Sequence, residues 1–143
     1  MKIKFLYPLI LILLFPFCNV LAQNLANKVY NLDKWKFAKN VPEMWTDVTV
    51  PHSCNAIDGR SASYFRGKSY YKKTIDVTLD MMNSNLYLLF EGAAQAAKVS
   101  INGKQLAYHK GGYTPFVISL NNNLKVGSNE VLVQCDNGLD ANL

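Results

Sequence analysis

Between Asn55 and Gly67 the sequence NAIDGRSASYFRG gathers residue types that can grip a polyhydroxylated ligand. Asn55, Asp58 and Arg60 carry planar polar groups able to bond neighbouring hydroxyls in pairs, and Tyr64 sets an aromatic face beside them. This is the longest turn-rich stretch of the chain, with Asp58-Gly59 inside it, and binding residues concentrate on such stretches when a rigid scaffold holds them. The plainer reading is that the segment packs only against another part of a larger protein. A wider aromatic platform from Tyr64, Phe65, Tyr108 and Tyr113 is the other candidate surface, set against the habit of sandwich aromatics to lie in the core.

The remaining chemistry-bearing residues point less clearly. Glu43, Asp47, Asp58, Asp76, Asp80, Glu91, Glu130, Asp136 and Asp140 are scattered. Asp80 and Asp136 fall at turns and strand ends, where aspartate bonds its local backbone, and Glu91 is expected to pair with a nearby donor. His52 and His109 lie far apart, and no Cys-x-x-Cys or His-x-His spacing occurs, so no metal site and no cofactor is expected. Each histidine is expected to be a hydrogen-bonded structural residue. Cys54 and Cys135 can bridge in an oxidising compartment; the alternative, slightly preferred, is two buried thiols behaving as small hydrophobes.

The elements that must position these residues are strands. Trp35 and Phe37 share one face of a first strand, Val48-Thr49-Val50 is a short strand stopped by Pro51, and Ser69–Val77 alternates from face to face. Leu86, Leu88 and Phe90 alternate with Tyr87 and Leu89, apolar on both faces, which predicts a strand buried on both sides. Lys98–Ile101 runs into Asn102-Gly103, the strongest short hairpin signal because a type I′ turn needs positive φ at both central residues. The return strand Lys104–His109 ends at Gly111-Gly112. Phe116, Ile118 and Leu120 then alternate before an Asn121–Asn123 turn, and Val131, Val133 and Cys135 line a last strand. Asp80–Asn85 reads as a turn, Val41–Trp45 as loop or one helical turn, and no sustained 3.6-residue period appears from Gln23 onward. The pattern is that of an all-β, antiparallel β-sandwich.

Short segments in order carry a resemblance: Val48–Ser53 (VTVPHS), Arg66–Lys73 (RGKSYYKK), Phe90-Glu91-Gly92, Asn102-Gly103, Gly111–Phe116 (GGYTPF) and Asp136-Asn137. Over Trp35 to Asn137 the chain resembles the N-terminal sugar-binding domain of family 2 glycoside hydrolases, the β-galactosidase and β-glucuronidase family. The resemblance implies a jelly-roll, galactose-binding-domain-like sandwich, here missing its last strands. It also implies that both catalytic glutamates belong to a separate TIM barrel outside this sequence. A retaining glycosidase needs two carboxyl groups about 5–5.5 Å apart, and nothing in the acids above supplies such a pair, so the chain alone is expected to be inactive. The family places the region corresponding to Asn55–Gly67 towards the barrel, so sugar contact is expected there and not on the central hairpin. Cys54 stands where the family motif usually has Trp, as a filler of core space. The implied role is an accessory sugar-binding domain of a hydrolase of O-glycosidic bonds; the alternative is a free-standing secreted carbohydrate-binding module.

The domain is expected to span residues 23–143. Lys2 and Lys4, the apolar run Phe5–Phe17 and Val20-Leu21-Ala22 form a signal-peptide pattern over residues 1–22, with cleavage before Gln23. The run is shorter than a span of roughly 20 residues and contains Pro8 and Pro16, which disfavours an anchor. Phe17 before Cys18 disfavours lipoprotein processing. A periplasmic or secreted protein follows, without membrane attachment after cleavage. Removing two leader lysines lowers the formal charge from +5 to +3, and the remaining cations are dispersed, with Lys72 and Lys73 on opposite strand faces. Nucleic acid is not an expected partner; carbohydrate and the catalytic barrel are.

Overall fold

The computed structural model describes residues 28–55 and 64–138. The predicted leader, Asp58, Arg60 and Asp140 lie outside the described residues. The chain divides into two units, Met1–Asn31 and Leu32–Leu143. In the first, residues 28–31 form no regular element, and the Lys28 ammonium sits 5.0 Å from the centre of the Tyr30 ring.

The second unit is built from β1 (Lys34–Lys39), β2 (Thr46–Thr49), β3 (Lys68–Val77), the short helix α1 (Leu79–Met82), β4 (Tyr87–Phe90), β5 (Ala96–Ile101), β6 (Lys104–Lys110), β7 (Phe116–Ser119) and β8 (Gly127–Asp136). One antiparallel sheet runs in the order β2-β1-β3-β8-β5-β6, and β4 pairs antiparallel with β7 to form a second layer. The architecture is the expected all-β sandwich, consistent with a jelly roll.

Alternation decides what lies between the layers. Val99 faces Val133, Ile101 faces Val131 and Ala97 faces Cys135 across the β5–β8 ladder. These residues form the core with Trp35 of β1, Leu88 of β4, and Ile118 and Leu120 in and after β7. Val99, Ile101 and Val131 are essentially inaccessible to solvent. Trp35 also spends its indole N–H on the Leu32 carbonyl at 2.6 Å, so burying the ring leaves no orphan donor.

The polar residue at the centre is Asn129, fully buried at the start of the inward row of β8. Its Oδ1 accepts from Asn102 Nδ2 and from the Lys125 amide, both at 2.9 Å. Its Nδ2 donates to the carbonyls of Lys125 (2.7 Å) and Gly127 (2.9 Å). All four bonding positions of the carboxamide are filled, which is the condition for burying it cheaply. Asn102 is the first residue of the predicted Asn-Gly turn, with φ of 50° against 81° at Gly103, as a type I′ turn requires. The hairpin tip is thereby tied to the turn that enters β8.

Two expectations change. Residues 79–82 are helical, because the Thr78 hydroxyl caps the Met81 amide at 3.3 Å and Asp80 occupies the first turn. The Leu86–Phe90 strand is buried on one face only. Leu88 lies in the core, whereas Tyr87 and Leu89 are 59% and 63% exposed. Among the described residues its layer has only two strands, and no further strand layer lies over its outer face.

Candidate functional site

The segment singled out for binding is held at both ends by one polar clamp. Asn55 is buried; its Oδ1 accepts from the Phe65 amide at 2.9 Å and its Nδ2 donates to the Phe65 carbonyl at 3.0 Å. Asn137, just past β8, donates from Nδ2 to the same carbonyl at 2.9 Å and accepts from the Gly67 amide at 2.8 Å. Its own backbone N–H reaches the Gly67 carbonyl at 3.2 Å. Gly67 has φ of +141°, a conformation L side chains rarely adopt, and it turns the chain into β3. Asn55 therefore spends its carboxamide on the scaffold and acts as a positioning residue.

Tyr64 stands outside the clamp, 48% exposed, with the Arg66 guanidinium 5.2 Å from its ring centre. Phe65 has the Lys39 ammonium 5.4 Å from its own ring. Asp58 and Arg60 fall outside the described residues, so the structure brings Asn55 and Tyr64 to one place and leaves the other two untested.

Behind the clamp lies a cluster of titratable groups. The Tyr71 hydroxyl and His52 Nδ1 are 2.9 Å apart, and the Phe37 ring packs 4.6 Å from the imidazole and 5.0 Å from the phenol. Burial, and secondarily the charge of Lys39, holds His52 below its ordinary pKa. Burial first, then Cys135 and Cys54, pushes the Tyr71 phenol far above its usual range. Cys135 is raised to about 12 by burial and by its neighbour Cys54. Both cysteines are thiols here, Cys135 buried and Cys54 half-buried. Burial thus disfavours the charged forms of the imidazole, the phenol and the Cys135 thiol alike, which fits a structural, hydrogen-bonded cluster.

The other histidine is equally engaged. His109 Nε2 lies 3.1 Å from the Gly111 carbonyl and 3.0 Å from Thr114 Oγ1, and its ring stacks on Phe116 at 4.1 Å. That stack links the two layers, and Phe116 stacks in turn on Phe90, its partner across β4 and β7, at 4.7 Å. Gly112 passes so close to Ala94 that a Cβ there would meet the Ala94 carbonyl oxygen at 2.9 Å, and Gly111 has φ of +117°, so each glycine of the pair has its own reason. Glu91, expected to find a donor, is exposed and makes no hydrogen bond or ion pair among the described residues. The described residues contain no group of three metal-ligating side chains, and no helix among them is long and apolar enough to cross a membrane.

This sandwich and its ordered motifs have counterparts. Residues 22–141 match the sugar binding domain of the glycosyl hydrolases family 2, and the chain belongs to that family. A β-glucuronidase of Bacteroides fragilis is 33% identical over 107 residues, covering 73% of this chain and 15% of that protein. A β-galactosidase of Thermoanaerobacter pseudethanolicus is 38% identical over 69 residues, 48% of this chain and 9% of that protein. Among solved structures, a β-D-glucuronidase of Dictyoglomus thermophilum superposes with a TM-score of 0.71 at 27% identity, over 79% of this chain and 20% of the other. The chain spans between 9% and 15% of the length of the curated relatives it matches.

Proposed function

We propose that this chain serves as the N-terminal accessory sugar-binding domain of an exported family 2 glycoside hydrolase. The parent enzyme hydrolyses O-glycosidic bonds of β-galactosides or β-glucuronides, and its catalytic carboxylates reside in a barrel carried elsewhere in the same protein. The observation that carries the reading is the family match over residues 22–141 in a chain spanning so small a share of its relatives. In this role the Asn55–Gly67 segment faces the barrel and adds Asp58, Arg60 and Tyr64 to the edge of the substrate pocket, while Asn55 and Asn137 hold its base. The leader directs the protein to the periplasm or beyond. Sequencing the gene past Leu143 tests the proposal: a downstream barrel with paired glutamates supports it. An in-frame stop directly after Leu143 overturns it.

That second outcome leaves a free-standing carbohydrate-binding module. The exposure of Tyr64, Tyr108 and Tyr113, the last wholly open to solvent, favours that reading, because such modules present aromatic faces to sugar rings.

A further inference from the structure

The outer face of the six-stranded sheet carries a depression of about 470 Å³ lined by Lys68, Lys98, Gln105, Tyr108, Gln134 and Asp136. Register explains its shape. Lys68, Asp136 and Ala96 lie in one row across β3, β8 and β5, and Tyr70, Gln134, Lys98 and Tyr108 form the next row, extended to β6. Ala96 is a single methyl among long neighbours, so the sheet is bare there and Ala96 forms a buried floor. Ser100 and Gln105 pair in the following row, past the irregularity between Val99 and Ser100.

The walls have bonding capacity to spare. Among the described residues, the Lys68 and Lys98 ammonium groups, the carboxamides of Gln105 and Gln134 and the Tyr108 phenol make no hydrogen bond or ion pair within the protein. Asp136 already accepts from the Gly138 amide at 2.8 Å. Two cations against one partly engaged carboxylate leave the depression positive. Two carboxamides can each donate to and accept from neighbouring hydroxyls. Tyr108, 56% exposed, adds an aromatic wall. Convergent polar groups around one aromatic side chain, with a surplus of positive charge, suit a ligand rich in hydroxyls that also carries carboxylates.

We infer that this depression binds acidic oligosaccharides, with Lys68 and Lys98 pairing with uronate carboxylates and Gln105, Gln134 and Tyr108 contacting the sugar ring. The site goes beyond the proposed accessory role: it lies on the sheet face, and the Asn55–Gly67 segment need not take part.

The test titrates the purified chain with tetramannuronate and tetragalacturonate and with their carboxyl-reduced, neutral counterparts, following backbone amide NMR shifts. Saturable shifts are expected at Lys68, Ala96, Lys98, Tyr108 and Gln134 with at least one acidic tetramer. The reduced form should bind at least fivefold more weakly, and raising the salt should weaken the acidic ligand. Lys98→Gln and Tyr108→Ala should each weaken binding about threefold or more, with spectra otherwise unchanged since both side chains are solvent-accessible. Saturable shifts with neither acidic tetramer, or equal binding of the neutral forms, would overturn the inference. Shifts confined to residues around Asn55 and Tyr64 would overturn it too, while leaving the accessory-domain reading in place. Sugar-free, concentration-dependent shifts on this face would show that a second copy occupies it, and would likewise count against the proposal.

Discussion

Asn55 and Asn137 converge on one acceptor, the carbonyl oxygen of Phe65, at 3.0 and 2.9 Å. The first residue of the candidate binding segment and one beyond the last strand thus fix the same peptide, and the backbone at Gly67 is bonded on both its N–H and its C=O. Replacing Asn137 with Ala should cost about 1–3 kcal/mol, because half-buried backbone groups lose their partners. Urea unfolding would measure the loss. Amide exchange at Gly67 should quicken well before global unfolding if the clamp acts locally.

Asn129→Ala should be more severe. Removing the carboxamide leaves the Lys125 amide and the carbonyls of Lys125 and Gly127 without their partner and takes from Asn102 Nδ2 the shorter of its two contacts, at a cost of roughly 3 kcal/mol or more. Asn129→Asp should not rescue it, since a carboxylate cannot donate to the two carbonyls. Thermal melts of both variants would check this.

His52 should make stability pH-dependent. Its folded pKa lies below the unfolded value of 6.5, so the unfolded state binds the extra proton first. The stabilisation is fully present above pH 6.5 and is lost as the pH falls from there through the folded pKa. Unfolding free energy should therefore decline below about pH 6.5. In His52→Phe, denaturation curves at pH 7.5 and 5.5 should differ less than in the wild type.

Cys135, buried with its thiol pushed up to about 12, should resist alkylation at pH 8 in the native protein and react only in denaturant. Cys54, half-buried, should be modified first. Mass spectrometry of iodoacetamide-treated samples with and without urea would order the two.

Much of the fold was legible because alternation is a local signal. Val131, Val133 and Cys135 announce β8, and Asn102-Gly103 announces its neighbouring hairpin. What escaped depends on distant partners. The inward phase of β8 begins at Asn129, two residues before Val131, yet a polar residue beside Gly127 and Ser128 reads as turn until Asn102 is seen against it. The outward exposure of Tyr87 and Leu89 depends on what packs over the second layer, which no single strand encodes. At the candidate site, the turn-rich segment was visible, but the use of Asn55 was not. Its carboxamide looks available for ligand until the Phe65 backbone is folded against it. Ala96, the floor of the sheet-face depression, means little until the strands on either side bring Asp136 and Lys110 to its row.

The burial of Asn129 has a consequence at the far end of its own strand. A slide of β8 by a single residue would put Glu130 in the dry position and turn every side chain of the strand inside out. Such a slide would also carry Gln134 and Asp136 away from Lys98 and Lys68. The carboxamide at Asn129 thus works as a detent: by admitting one alignment of the strand, it decides which chemical groups the molecule displays several rungs away.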